Sequence, residues 1–340
     1  MPWRDDPTPW HVMLSELMLQ QTRVDTVIPY FLRFVERWPQ VEDFAAADEE
    51  DVVHLWQGLG YYRRARNLHR AARQATEAGG IPGTVSGLLA LPGIGPYTAG
   101  AIASIAFGVR APLVDGNVER VLSRLDGRAA DPRSGAGKRA LWARADELHQ
   151  SFDGHPGDLN QALMELGATV CTPTGPRCGS CPVADLCVAR ATGRTTELPR
   201  LAKRKKPTPV LAAAGLLEVH GGVVMGRRPE GLLGGLWEPV LTQIAVDEDP
   251  RVGVERAFRE RAAIRVDVGT KLGRITHVFT HRRLTCDVFE VHADAPEIVP
   301  SVYTDVRVVA DPDTVPLSKL ALKILALRTP MMFGLAADAD

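Results

Sequence analysis

Apolar residues recur at three-to-four spacing through the first half of the chain. Leu14, Leu17 and Met18 form one stripe and Ile28, Phe31, Phe34 and Val35 the next, with Pro29 suited to the first turn of the second helix. Alanine-rich segments at 65–78, 97–107 and 138–150 continue the helical period to about residue 190. The character then shifts. Residues 195–209, TTELPRLAKRKKPTP, are polar, basic and punctuated by proline, as a connecting segment is. Beyond them, short runs at 210–219, 223–225, 275–279 and 284–291 read as strands, interrupted by helical periods at 254–263 and 318–328. The pattern predicts an all-α domain over 1–195, a linker over 196–209 and an α+β domain over 210–340. No internal repeat is visible.

A length of 340 residues suits two domains. The hydrophobic share of 45% fills ordinary cores. No apolar run approaches the ~20 residues of a membrane-spanning helix, so no membrane association is expected. A net charge of −1 gives no bulk attraction toward nucleic acid. The charge is uneven, however: Arg63, Arg64, Arg66, Arg70 and Arg73 form an acid-free basic stretch, and Lys203, Arg204, Lys205 and Lys206 another. Such runs are usually solvated faces, and neither decides a partner alone.

The cysteines change the picture. Four of the five fall in one run, Cys171, Cys178, Cys181 and Cys187, spaced C-x6-C-x2-C-x5-C. That spacing brings four thiolates around one centre, and soft sulfur ligands select zinc or an iron–sulfur cluster. Two disulfides would need an oxidising compartment, and the opening MPWRDDPTPW has no basic-then-apolar signal segment. Zinc sites favour C-x2-C pairs on both sides, whereas only the middle pair here is that tight. The spacing favours one 4Fe–4S cluster.

Residues 88–101 read LLALPGIGPYTAGA. Pro92-Gly93-Ile94-Gly95 breaks the chain between two apolar helical stretches, with Pro96 in the first turn of the second. Gly93 and Gly95 let the backbone turn tightly and aim amides outward at a helix N-terminus, an arrangement suited to phosphate. A bare G-x-G is often only a connection, but the flanking pattern makes this a helix-hairpin-helix. Further on, VDGNVER (114–120) places Asp115 before an apolar-periodic helix. Asp115 there is ordinarily an N-cap. Cap and catalyst are compatible, because the helix dipole holds a capping Asp ionised.

The LPGIGPYTAG hairpin, the VDGNVER aspartate and the cysteine loop, in this order, resemble the endonuclease III superfamily of DNA glycosylases. Within it, SELMLQQTRVDTVIPYF (15–31) and LWQGLGYYRRARNLH (55–69) resemble the adenine DNA glycosylase (MutY-type) branch. The resemblance implies a helical barrel over about 8–114, a cluster half over about 115–195 and removal of adenine mispaired with 8-oxoguanine or guanine, leaving an abasic site. By motif match Glu16 is the general acid. Its neighbours Leu14, Leu17, Met18 and Leu19 suggest desolvation and a raised pKa. Asp115 is implied to meet the positive charge that develops on the sugar, or to trap it covalently, and Tyr97 and Asn117 to hydrogen-bond the reacting centre. Members that also cut the backbone carry lysine at Tyr97. Tyrosine cannot form a Schiff base, so a monofunctional enzyme is expected.

Other residues follow the same resemblance. Gln21, Thr22, Leu59, Gly60 and Tyr61 match positions that wedge into the duplex and contact the 8-oxoguanine strand, Tyr61 by stacking; Tyr61 and Tyr62 as core aromatics is the competing reading. Trp3, Arg4 and Gln161 match adenine-pocket positions. Arg177 and Arg190 are expected to present charge to phosphates beside a structural cluster. The second domain resembles a Nudix-like recognition domain, with GLLGGLWEPV (231–240) the best-matched segment. A hydrolytic Nudix helix clusters glutamates around magnesium; 259–264 keeps only Glu260, so binding without hydrolysis is expected. Phe279-Thr280-His281 stands where the family has a Phe-Ser-His loop, the threonine keeping the hydroxyl and adding a methyl; His277 and His281 could equally be ordinary strand histidines.

The implied partner is double-stranded DNA with A:8-oxoguanine or A:G mispairs, the protein a cytoplasmic, bacterial nucleoid-associated monomer. Members of the branch begin further upstream, with a helix carrying an adenine-pocket arginine, so the resemblance implies a lost helix or a start site assigned inside the reading frame. Two other functions compete: a mismatch thymine or uracil glycosylase, against which residues 210–340 speak, and a non-catalytic iron–sulfur damage sensor, against which Glu16 and Asp115 together speak.

Overall fold

The structure, a computed structural model, describes residues 1–202, 206–229, 231–294 and 302–328. The chain forms two compact units. One comprises Met1–Leu55 and Arg64–Arg204, the other Trp56–Arg63 and Lys205–Asp340. No helix among the described residues is long and apolar enough to cross a membrane.

The first unit is helical: α1 (Pro2–Asp5), α2 (Pro9–Leu19), α3 (Val24–Arg37), α4 (Val41–Ala46), α5 (Glu49–Leu55), α6 (Arg63–Glu77), α7 (Val85–Leu89), α8 (Pro96–Phe107), α9 (Gly116–Leu125), α10 (Gly135–Gln150), α11 (Pro156–Glu165) and α12 (Val188–Ala191). Thr8 caps α2 by accepting from the His11 amide at 3.2 Å, and Pro9 opens it, so the helix starts where a free amide is not needed. Almost every following side chain of α2 is buried, Glu16 included. Pro29 does not open a helix as its sequence position suggests. The amphipathic stripe Val27, Phe31 and Phe34 starts α3 earlier, at Val24, and Pro29 lies inside it. Burial of that stripe outweighs the one backbone hydrogen bond that proline removes.

A short α7 and α8 flank the expected hairpin. Gly93 sits at φ +77°, and a Cβ there would come within 2.6 Å of the Asn67 side chain, so glycine is required on both counts. Gly95 is the N-cap of α8. In the following half, Val118, Val121 and Leu122 of α9 pack on Ala101, Leu113, Leu141, Ala145 and Leu163. A π-helical turn, Leu166–Val170, leads from α11 into the cysteine loop.

The second unit is a mixed sheet of β1 (Thr208–Val219), β2 (Gly222–Arg227), β3 (Trp237–Pro239), β4 (Leu241–Ile244), β5 (Asp267–Val278), β6 (Arg282–His292) and β7 (Asp305–Val309), ordered β3-β2-β1-β6-β5, with β4 on β1 and β7 on β2. Among the described strands, β1 and β6 are the parallel neighbours. α13 (Pro250–Ala262) and α14 (Lys319–Leu325) cover opposite faces. Ala213 and Leu217 of β1 pack with Val254, Ala257 and Phe258 of α13, while Ala212, Ala214 and Leu216 pack with Leu320, Ala321 and Ile324 of α14. Both faces of β1 are therefore buried, which is why 210–219 reads as an unbroken apolar run. β5 is longer than its apolar stretch. Its first two thirds, DVGTKLGR, are mostly polar, carry two register shifts against β6 and lie at the sheet edge, where charge and irregularity guard against further pairing. The segment Trp56–Arg63 belongs to this unit: the Tyr62 hydroxyl donates to the Leu317 carbonyl at 2.9 Å, and Gln57 Oε1 accepts from the Leu317 amide at 3.2 Å.

Candidate active site

Two helices of the first unit bring its carboxyl chemistry together. α2 carries Glu16, only 5% exposed, and the first turn of α8 carries Tyr97, whose hydroxyl donates to Glu16 Oε2 at 2.6 Å. Glu16 has its pKa pushed up to about 7. Burial is the main cause, since it penalises the ionised form. The Tyr97 hydrogen bond opposes burial, nearby Asp115 adds to it, and Arg4 opposes it more weakly. The same burial, with the Glu16 charge, holds Tyr97 well above the usual phenol range, so it stays a donor.

Asp115 is the N-cap of α9. Its Oδ1 accepts from the amides of Asn117 (2.9 Å) and Val118 (2.7 Å), and its Oδ2 accepts from Asn117 Nδ2 at 3.0 Å. Three donors at a helix N-terminus fix the orientation of this side chain. The expected N-cap role of Asp115 is present. Asn117 is held in turn, its Oδ1 accepting from Arg120 Nη2 at 2.9 Å. Gly167 of the π-turn lies so close that a Cβ there would sit 2.6 Å from Asn117 Cβ. Asp115, Asn117 and Glu119 line a cleft of about 430 Å³ with Arg133, Leu198 and Pro199. Residues 196–202, expected as part of a linker, are fixed as one wall of it. Leu198 is buried, its carbonyl accepting from Arg124 Nε at 2.8 Å, and the Ala202 amide donates to Asp131 at 3.1 Å.

Arg120 and Arg124, one turn apart on α9, tie this centre to the cysteine loop. Arg120 Nε donates to the Cys171 carbonyl at 2.6 Å, and Arg120 Nη2 to the Gly167 carbonyl at 2.7 Å. Arg124 Nη1 reaches the Thr172 carbonyl at 2.8 Å and Cys171 Sγ at 3.3 Å. Sequence reasoning passed over both residues. Their signal was available only as two arginines at i and i+4 on α9, just after Asp115. Cys171, Cys178, Cys181 and Cys187 are all free thiols and line one cavity, with Arg124 in its wall. Among the described residues no three His, Cys, Asp or Glu are grouped to hold a single metal ion. Arg177 and Arg190 are engaged within the loop, donating to the Thr169 carbonyl and to Asp185.

The other expected residues divide. Arg4 pairs with Glu165 at 2.5 Å and is near enough to act on Glu16, whereas Trp3 is buried edge-on against Phe31 at 5.4 Å, a core role. Gln161 is half-buried on α11. Gln21 is exposed in a left-handed conformation, φ +58°, and Thr22 Oγ1 accepts from Arg64 at 3.1 Å. Gly95 has open space where a Cβ would stand. In the second unit Leu59 is buried, Gly60 accepts from Trp56 Nε1 at 3.1 Å, and Tyr61 is 48% exposed at φ +49°. The two tyrosines therefore differ, Tyr62 lying in the core and Tyr61 facing outward. Phe279 packs on the sheet core and meets the His277 ring at 4.6 Å, while Thr280 and His281 stand exposed at the β5–β6 turn. Glu260 of α13 is exposed and paired at 3.8 Å with Arg256. Glu238, within 231–240, is buried and held by Arg228 at 2.7 and 2.9 Å and by Tyr303 at 3.1 Å.

Residues 14–147 match the HhH-GPD superfamily of base excision DNA repair proteins, and residues 212–327 match the NUDIX domain. Among solved structures, a thermostable thymine-DNA glycosylase is similar, at 28% identity and a TM-score of 0.50, over 56% of this chain and 88% of that one. The human adenine DNA glycosylase is 38% identical over 85% of this chain, which spans 63% of that protein's length. The mouse adenine DNA glycosylase is 37% identical over 86% of this chain and 68% of its own length. With that identity across more than two thirds of a relative, the chain belongs to the adenine DNA glycosylase family.

Proposed function

We propose that this chain is a monofunctional adenine DNA glycosylase, binding duplex DNA and hydrolysing the N-glycosidic bond of adenine opposite 8-oxoguanine or guanine. One observation carries the reading: a buried carboxyl, Glu16, holds its proton up to about 7 with a tyrosine hydroxyl donating to it, near the carboxyl of Asp115 that caps α9. Glu16 donates its proton to the flipped adenine ring, and the bond electrons leave with the base. Asp115 faces the positive charge left on the sugar. Glu16, now ionised, takes a proton from the water that attacks the sugar carbon, which restores the acid. Tyr97 stands where a lyase would need an amine, so no Schiff base forms and the product is an abasic site.

Cys171, Cys178, Cys181 and Cys187 would hold a 4Fe–4S cluster. Four free thiols around one cavity, with an arginine donating to one sulfur, suit its anionic sulfur shell. Bound there, such a cluster would order the loop whose carbonyls accept from Arg120 and Arg124, and no step of the chemistry runs through it. Lesion reading is assigned to the second unit, where the Thr280 hydroxyl is exposed at a turn anchored by Phe279. Glu260, paired with Arg256, supports binding without hydrolysis there.

The test is base release from duplexes with A opposite 8-oxoguanine, A opposite G and T opposite G, each with and without borohydride. Release from the first two without a trapped adduct is expected. Release from T opposite G alone would move the assignment to a thymine glycosylase, the activity named for the similar solved structure.

A further inference from the structure

Arg64 sits in the first turn of α6, yet its guanidinium is buried and directed at the end of α2. One nitrogen, Nη1, donates to the carbonyls of Leu17 at 2.9 Å and Met18 at 2.8 Å and also to the carbonyl of Gln20. The other, Nη2, donates to Thr22 Oγ1 at 3.1 Å. The carbonyls at a helix C-terminus have no intrahelical donor, and a fixed planar fork can serve several at once. Between the two clamped residues Gln20 and Thr22 stands Gln21, exposed and left-handed at φ +58°. A residue with a side chain keeps such a conformation only where its surroundings over-determine it. The Gln20 side chain adds a further tie, donating to Thr98 on α8 at 3.2 Å.

We infer that Arg64 is a positioning residue: it clamps Gln20 and Thr22 so that Gln21 is presented, pre-strained, to the DNA duplex. The inference rests on the DNA-binding reading above and deepens it. Glu16 lies on the same helix but in its interior, where intrahelical hydrogen bonds fix the backbone. Arg64 therefore governs duplex binding and not the proton chemistry. A flexible turn would have to be ordered at the moment of binding, and a turn held in its bound shape avoids that loss.

The experiment uses the full chain with Arg64→Lys, Gln21→Ala and the double variant. Affinity for a labelled duplex with A opposite 8-oxoguanine is measured in a Glu16→Gln background, so binding is read without turnover. Lysine keeps the charge and loses the fork, and about tenfold weaker binding is expected from Arg64→Lys. Gln21→Ala should weaken binding similarly, and the double variant no further, because both singles remove one contact. With Glu16 intact, the single-turnover rate of Arg64→Lys at saturating protein should stay within about twofold of the unmodified chain. Losses that multiply in the double variant, unchanged binding by Arg64→Lys, or a slowed single turnover with normal binding would each overturn the inference. Should Arg64→Lys not fold, Arg64→Lys with Gln21→Gly should fold, since glycine needs no clamp at that φ. Failure of that pair as well would make Arg64 a core residue only. The outcomes are separable from the activity itself, because binding is read in a chain that cannot release adenine.

Discussion

Replacing Tyr97 with phenylalanine isolates the stronger of the two interactions, Tyr97 and Arg4, that keep Glu16 from being a still weaker acid. Burial pushes the Glu16 carboxyl up to about 7, and the Tyr97 hydroxyl, donating at 2.6 Å, acts against it. A hydrogen bond to a charged acceptor is worth about 1.5–3 kcal/mol against about 0.5–1.5 kcal/mol for a neutral one. The phenol therefore favours the carboxylate over the acid by about 1 kcal/mol, which corresponds to roughly 0.7 pH unit. Phenylalanine keeps the ring packing and removes that preference, so Glu16 should hold its proton to higher pH. The assay is single-turnover adenine release at saturating protein, followed across about pH 5.5 to 9, with the alkaline limb reporting the acid. The unmodified chain should lose rate as pH rises through about 7. Tyr97→Phe should move that limb up by about half to one pH unit. An unmoved limb, or one moved toward acid, would refute the assignment of Glu16 as the acid or of Tyr97 as its partner.

Glu16→Gln should bind damaged duplex while adenine release falls by at least about 10²-fold. The same variant should flatten a trend in stability. The folded protein holds this carboxyl above its ordinary 4.5, so its contribution is complete below that value and is lost as pH rises through about 7; melting temperature across that window should fall in the unmodified chain and less in the variant. Cys181→Ser should abolish the broad visible absorption of an iron–sulfur protein, and a colourless native protein with stoichiometric zinc would contradict the cluster assignment. Thr280→Val should cost about 1–3 kcal/mol of discrimination between 8-oxoguanine and guanine opposite adenine, read as the ratio of duplex affinities, because guanine lacks the N7–H that the hydroxyl would accept from. Equal discrimination by the two proteins would remove Thr280 from lesion reading.

The residues that announce themselves in the sequence are those whose chemistry is tied to spacing. Four cysteines, two hairpin glycines and a capping aspartate each have a local signature, and Glu16 lies among leucines that foretell its burial. What the sequence hid is long-range. Arg64, Arg120 and Arg124 resemble surface charge in a one-dimensional reading, and only the fold shows their guanidinium groups buried against carbonyls far along the chain. Pro29 misled for a related reason, because a strong apolar stripe can carry a helix through a proline. The short strands β3, β4 and β7 left no periodic trace, being too brief for alternation to accumulate. The polar part of β5 gave none because an edge strand needs little apolar surface.

The eight residues Trp56–Arg63 are made early and used late. They lie between α5 and the body of α6, yet their partners are in the second unit, and Tyr62 donates to Leu317, 255 residues further on. At about 5–20 residues per second, a ribosome takes roughly 13–50 s to travel between those two positions. During that interval the helices on either side can already close on one another, while the loop they enclose waits with a buried-to-be tyrosine in solvent. The second unit is thus completed by a piece of chain made before it, and a nascent protein arrested before residue 317 carries an exposed aromatic loop, Tyr61 and Tyr62 together, as a handle for chaperone or protease.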